Sequence, residues 1–205
     1  MKPLVVILAA GASERLGQCK ALVDLGGESA LRHLIRAALS AGALEVVVIG
    51  GAHQREIAAE FARVNFGERV QLLSNANWSR GRTGSAAIAA ARFPARDLMI
   101  APIDVPLVSG EVFRKLLEAW ERAGDPARGW LAPCIEPGPR YGHPLIVGRE
   151  LAAAMLQTDP GEPLSRLRTQ ANPLWSIQVN DAAILDDLDT PEDLKKLRAR
   201  CQAPS

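Results

Sequence analysis

The sequence predicts an α/β fold built on a mostly parallel sheet, and three observations carry that expectation. Leu4 to Ala9 is an unbroken aliphatic and β-branched run ending in Gly11, and Glu45 to Ile49 repeats the pattern, ending in Gly50 and Gly51. Such runs read as strands buried on two faces. Between them Leu31, Leu34, Ile35, Ala38 and Leu39 recur at helical spacing, and Gly42 suits the turn that closes a helix. The alternation then continues to Ala101, as a series of β-α-β units requires.

In chain order, a helix is expected from Ser29 to Ala41, a second near Gln54 to Arg63, a strand near Val70 to Leu73, a helix from Ser85 to Ala91 and a strand near Leu98 to Ala101. Glu111 to Ala123 reads as another helix. The stretch from Gly124 to Pro144 is rich in Pro and Gly, with strand-like pieces at Trp130 to Ala132 and, just after it, Leu145 to Val147. It reads as a small insertion or lid. Leu151 to Leu156 and Leu164 to Gln170 look helical, Trp175 to Val179 looks like a strand, and Thr190-Pro191 supplies an N-cap and a first-turn proline for a last helix.

A chain of 205 residues with 48% hydrophobic and 23% charged residues is the size of one globular domain, residues 1–205. Its 24 Lys and Arg against 23 Asp and Glu leave a net charge of +1, too little for a general nucleic-acid or anionic-membrane binder. Small-molecule substrates are the expected partners. Cys19, Cys134 and Cys201 form neither a disulfide framework nor a zinc spacing, which fits a reducing cytoplasm. Lys2 with the apolar run Leu4 to Ala10 imitates a short secretory signal, but that run serves equally as the first strand and is far below the ~20 apolar residues of a membrane helix.

In an open parallel sheet, ligands sit outside the carboxyl ends of the strands. The first such end, Ala10 to Lys20, is small and polar, with glycines that admit an anion to the backbone N–H groups and with Arg15 and Lys20 to neutralise it. It looks like a phosphate cradle, though it matches neither the P-loop nor the dinucleotide-binding glycine pattern; solvated charges on a flexible loop are the plain alternative. At the fourth strand end Asp104 lies between Pro102 and Pro106, which stiffen its loop. A carboxylate facing a phosphate cradle suits Mg²⁺, and a turn-forming Asp is the alternative. Asp186, Asp187 and Asp189 precede the last helix, either as favourable charges at its N-terminus or with one of them as a second metal ligand. Asn75 to Ser85 offers amide, hydroxyl and guanidinium groups for reading a base, with a mere helix cap at Ser85 and loop packing at Trp78 as alternatives. His143 reads locally as a polar loop residue.

Leu8-Ala9-Ala10-Gly11-Ala12-Ser13-Glu14-Arg15-Leu16-Gly17 with Lys20 resembles the signature loop of the MobA/MocA-like nucleotidyltransferases, the group related to molybdenum cofactor cytidylyltransferase and guanylyltransferase. Asn77-Trp78 with Gly81, Asp104-Val105-Pro106, Gly142-His143-Pro144 and Asp187 to Leu194 resemble further motifs of that group in the same order. The resemblance implies a doubly wound, Rossmann-like α/β fold, and a nucleoside triphosphate and a phosphorylated acceptor, joined with release of pyrophosphate. It implies that Arg15 and Lys20 bind the triphosphate, that Asp104 with Asp187 holds Mg²⁺, and that Ala9, Ala10, Gly11, Ser13, Asn75 and Ser85 bind the nucleotide. Ala-Ala-Gly at positions 9–11, where guanylyltransferases of this group carry Ala-Gly-Gly, implies CTP. His143 in its Gly-His-Pro element implies a molybdopterin-type acceptor, with a molybdoenzyme as partner for the product. Two stretches depart from the group. Gly81-Arg82-Thr83-Gly84-Ser85 replaces a serine-rich run, and Asp159 to Pro163 replaces a Gly-Asp-x-Gly-Ala-Arg element. Arg82 and Ser85 are instead spaced as in cytidylyltransferases acting on sugar or polyol phosphates, which keeps that acceptor class open, as it does a nucleotide- or cofactor-binding module without turnover.

Overall fold

A computed structural model describes residues 1–137 and 140–202. Eight strands form one sheet: β1 (Leu4–Ala9), β2 (Val46–Gly50), β3 (Val70–Ser74), β4 (Leu98–Pro102), β5 (Trp130–Ile135), β6 (Arg140–Tyr141), β7 (Leu145–Val147) and β8 (Leu174–Gln178). The order is β3-β2-β1-β4-β7-β5-β6, with β8 also paired to β5. Strands β1 to β4 are mutually parallel, β7 runs antiparallel to both β4 and β5, and β8 is parallel to β5. The mostly parallel α/β sheet read from the sequence is therefore present, with two reversed strands, β7 near its middle and the two-residue β6 at its edge.

Every residue of β1, β2 and β4 is buried, as expected of apolar runs covered on both faces. On one face Val5, Ile7 and Met99 meet Leu31 and Leu34 of α1 (Ala30–Ser40), Phe113 and Trp120 of α4 (Gly110–Arg122) and Leu194 of α6 (Pro191–Gln202). On the other, Leu4, Val6 and Ile100 meet Ala86 and Ala89 of α3 (Arg82–Arg92) and Leu151 of α5 (Arg149–Ala154). The helix α2 (Gln54–Arg63) lies between β2 and β3 in sequence and buries Ile57.

The helix ends follow local chemistry. Ser29 Oγ accepts from Arg32 N at 3.4 Å at the start of α1, and Gly42 takes φ 89° just past its end. At α6, Thr190 Oγ1 accepts from Asp193 N while Asp193 Oδ2 accepts from Thr190 N at 3.0 Å, a reciprocal cap.

The stretch 124–144, expected as an insertion or lid, largely enters the sheet. Trp130 to Ile135 is β5, longer than the 130–132 piece expected, and Arg140 and Tyr141 pair back onto it as β6. Gly138 and Pro139 lie outside the described residues. Leu164–Gln170, expected to be helical, is a 3-10 stretch, and α3 begins at Arg82 rather than Ser85. No helix among the described residues is long and apolar enough to cross a membrane.

Candidate active site

The strand order reverses direction between β2-β1 and β1-β4, and the carboxyl ends of β1 and β4 open there onto a cavity of about 170 Å³. Its walls include Ala9, Ala10, Gly11, Ser13 and Lys20 from the first loop, Ser85 and Arg82 from α3, and Asp104 after β4. A neighbouring cavity of about 350 Å³ holds Arg15, Lys20, Asp104 and Asp189. Beyond them a third, of about 600 Å³, lies over one face of the sheet's other half. The structure thus gathers almost all the residues singled out in the sequence at one sheet edge.

The first loop is held in place from several sides. Ser13 adopts φ 56° and its carbonyl accepts from Leu16 N and Gly17 N, while its Oγ accepts from Lys20 N at 3.3 Å. His53, which the sequence left without a role, contacts the Ala12 carbonyl through Nε2 at 3.0 Å and Glu56 through Nδ1 at 2.9 Å. Gly51 is needed for a close approach: a Cβ there would lie 2.5 Å from the Ala10 carbonyl oxygen and 2.6 Å from the Trp78 Cβ. A side chain at Gly51 would push the end of β2 off the loop.

The charges are paired in a definite pattern. Lys20 Nζ donates to Asp189 Oδ1, and Arg15 reaches Asp189 Oδ2 at 2.8 Å. The Lys20 ammonium is the main reason the Asp189 carboxyl lies below its ordinary range. Arg82 donates to Asp104 Oδ2 at 2.7 Å, and Asp104 Oδ1 is buried without a partner among the described residues. Asp186 turns away to pair with Arg200. Partial desolvation, then the charges of Asp104 and Asp189, push the Asp187 carboxyl up, which places its negative charge beside theirs. Of the three aspartates before α6, Asp187 is the one that forms no ion pair among the described residues, although the Lys20 and Arg82 charges oppose its rise, and the Leu188 N–H beside it donates to the Asp104 carbonyl at 2.7 Å.

Asn75 does not line the cavity. It is buried beneath it, donating from Nδ2 to Ser85 Oγ at 2.9 Å and accepting from Asn77 N at 2.9 Å, so it sets the Ser85 hydroxyl rather than meeting a ligand. Sequence reading missed the Arg82–Asp104 and Lys20–Asp189 pairs, which join positions 22 and 169 residues apart. The available signal at Arg82 was its place straight after Gly81, whose φ of 136° turns the chain into α3.

Four strands contribute to the large cavity: Ile100 and Pro102 of β4, Trp130 and Ala132 of β5, Leu145 of β7, and Leu174, Trp175 and Ser176 of β8. Residues 163–168 and Tyr141 to His143 close it, with the Arg168 guanidinium 5.5 Å from the Tyr141 ring centre. The segment replacing the expected Gly-Asp element packs on the start of α3: Thr83 Oγ1 donates to the Glu162 carbonyl at 2.6 Å, and a Cβ at Gly81 would meet the Pro160 carbonyl oxygen at 2.1 Å. The backbone on either side of Arg82, at Gly81 and Thr83, is thus fixed to the cavity's roof.

The model of the MobA-like NTP transferase domain matches residues 5–174, which include every strand from β2 to β7 and the whole crevice floor. The chain belongs to this family. MobA-like NTP transferases are nucleotidyltransferases, and among the relatives of this one is the molybdenum cofactor cytidylyltransferase of Escherichia coli K12, 24% identical over 195 residues that make up 95% of each chain. Among solved structures, Rv0371c of Mycobacterium tuberculosis H37Rv has the same fold, with a TM-score of 0.78 and 22% identity over 97% of this chain and 99% of that one. A manganese complex of the same protein gives a TM-score of 0.74 at 20% identity, again over 97% and 99%. In this MobA-like chain, the family's signature loop is the segment that Ser13, Gly51 and His53 hold against the crevice.

One titration follows from the site. Desolvation pushes the His143 imidazole from 6.5 down to about 4, the Asp104 charge opposing and the Arg82 charge adding. Its Nδ1 is buried and unpartnered among the described residues. Unfolded, this histidine takes up a proton near pH 6.5; folded, it does so only near 4. Stability is therefore full above 6.5 and is lost as pH falls towards 4, by up to about 3 kcal/mol. Asp187, whose carboxyl is raised, works in the opposite sense. Denaturant titrations of wild type and His143→Gln across this window should converge as pH falls; parallel curves would remove the assignment.

Proposed function

We propose that this chain, as one domain over residues 1–205, is a Mg²⁺-dependent cytidylyltransferase that transfers CMP from CTP to the phosphate of a molybdopterin-type cofactor. The observation that carries the reading is the Ala9-Ala10-Gly11 loop on a cavity it shares with Lys20, Ser85 and Asp104. The 24% identity to a molybdenum cofactor cytidylyltransferase over nearly the full length supports it.

The donor set fits the metal. No cluster of three or more His, Cys, Asp and Glu converges among the described residues, so a cage made wholly of protein ligands is absent there. Two carboxylates, Asp104 with its unpartnered buried oxygen and Asp187 raised in part by the charge of Asp104, match an ion that takes one or two carboxylates and completes its shell with substrate phosphates and water. The manganese bound by Rv0371c is consistent with a divalent ion in this fold. When bound, the ion would neutralise charge on the phosphates.

The residues of the chain then have separate tasks. The Ala9 and Ala10 backbone and Ser85 hold the base, with Asn75 fixing the Ser85 hydroxyl. Arg15 and Lys20 leave Asp189 for the β- and γ-phosphates and stabilise the charge that develops on pyrophosphate. An oxygen of the acceptor phosphate attacks the α-phosphorus, the bond from that phosphorus to the bridging oxygen breaks, and pyrophosphate leaves with its electron pair. The attacking oxygen is already ionised at neutral pH, so no protein base is needed and the work is in-line positioning.

The test is pyrophosphate release with Mg²⁺ and each of CTP, GTP, UTP and ATP, with and without the pterin acceptor. Release is expected with CTP and the pterin together. Release with a sugar or polyol phosphate instead, the class to which the Arg82 and Ser85 spacing also points, would replace the acceptor in this reading. Nucleotide binding without release in any combination would make the chain a binding module.

A further inference from the structure

We propose that Arg82 is the residue that binds the acceptor's attacking phosphate, and that its present pairing with Asp104 is a resting position which it leaves when a divalent cation is held there; this deepens the transferase reading above and rests on it. Arg82 is the first residue of α3, and its guanidinium lies 2.7 Å from Asp104 Oδ2. It is the residue that lines all three cavities: that of the Ala-Ala-Gly loop, that of Arg15 and Lys20, and the large one beneath the 163–168 segment. Donor, leaving group and acceptor must meet where these join.

The charges leave a specific task for it. The triphosphate side already has Arg15 and Lys20. The cationic side chains lining the large cavity are Arg82 and Arg168, and Arg168 stands over the Tyr141 ring. Arg82 stands at Asp104, at the junction of the three cavities. An acceptor phosphate approaching a triphosphate is opposed by Coulomb repulsion unless a cation lies between them. A guanidinium fork takes two phosphate oxygens at once, which also fixes the direction of the third.

The same guanidinium now neutralises a proposed metal ligand. A divalent cation beside Asp104 repels Arg82 and competes for Asp104 Oδ2, and the Arg82 side chain, 55% exposed, is free to swing into the cavity it already lines. Arg82 is thus a competitor of the metal and a binder of the acceptor. Removing it changes the two affinities in opposite directions, which a purely structural residue does not do.

The experiment uses the full chain as wild type, Arg82→Ala and Arg82→Lys. Mn²⁺ alone is titrated in by electron paramagnetic resonance, and KM values for CTP and acceptor are measured separately. Arg82→Ala is expected to bind Mn²⁺ several-fold more tightly than wild type, while its acceptor KM rises about ten- to hundredfold and its CTP KM changes less than about threefold, from the loss of one charge-assisted phosphate contact. Arg82→Lys, with the charge but not the fork, should fall between on both counts. Unchanged or weaker Mn²⁺ binding in Arg82→Ala, or KM effects shared equally by CTP and acceptor, overturns the proposal. Wild type and both variants all failing to bind Mn²⁺ overturns the metal reading of Asp104 and Asp187, and this proposal with it.

Discussion

Lys20→Ala is expected to lower turnover by about two to three orders of magnitude, the usual cost of removing one group aimed at charge that develops in a transition state. The Lys20 side chain is only 12% exposed, and its backbone N–H is tied to Ser13 Oγ, so the ammonium is delivered to one place. Asp189 keeps Arg15 when Lys20 is lost, so the loop should remain folded. Asp104→Asn should cost a similar factor, because the amide keeps the shape and an acceptor for Arg82 but removes the negative charge. The measurements are steady-state pyrophosphate release alongside melting temperature and CTP binding for both variants. Turnover within a few-fold of wild type in either, with the fold intact, would take that residue out of the mechanism.

The largest expected loss of stability is at Trp120, where replacement by Ala should cost about 3–5 kcal/mol. Trp120 is fully buried in α4, stacks on Trp175 of β8 with ring centres 5.3 Å apart and planes 15° apart, and donates from Nε1 to the buried Asp97 at 3.0 Å. Ala leaves a void there and an Asp97 that keeps the Arg149 N–H but loses its indole partner. Trp120→Phe refills most of the space and should cost about 1–3 kcal/mol, mainly for the unpaired carboxylate oxygen. Urea titrations of the two variants decide the matter; a loss below about 1 kcal/mol for Ala would mean the site collapses and the stack contributes little. Because Trp175, with Leu174 and Ser176 beside it on β8, lines the large cavity, an effect of Trp120→Ala on acceptor KM should accompany the loss of stability.

β1 and β2 were legible because they are unbroken apolar runs closed by glycine, a pattern set by burial on two faces, and β4 because it is buried throughout in the same way. The loops at those strand ends were legible for the same reason, and Ala10 to Lys20 and Asp104 do share a crevice. The segment 124–144 was harder. β6 has two residues, too short to display a period of two, and the glycines and prolines of this stretch suggest a loop until its pairing with β5 is seen, whereas β7 is the Leu145 to Val147 piece read from the sequence. Arg82 and Asp189 show why pairing escapes a reading along the chain: one reads as a group for a base or acceptor and the other as a helix-end charge or metal ligand, until the fold brings Asp104 to the first and Lys20 to the second. Asn75 illustrates the reverse, a polar group in the right place whose hydrogen bonds are already used within the chain.

The reversed strand β7 divides the sheet by origin. Everything that lines the Ala-Ala-Gly cavity comes from residues 8–104, whereas β5, β8 and the 163–168 segment supply most of the large cavity. β7 makes contact across that line through only three paired positions with β4 and two with β5. Under the proposed reading, changes confined to β5, β8 and the 163–168 segment would alter what receives the nucleotide while leaving the walls of the nucleotide cavity as they are. The halves are stitched together at few points: Asp187 and Asp189, which follow β8 in the chain but serve the charged side of the crevice, and Arg82, which belongs to the donor side but faces the acceptor.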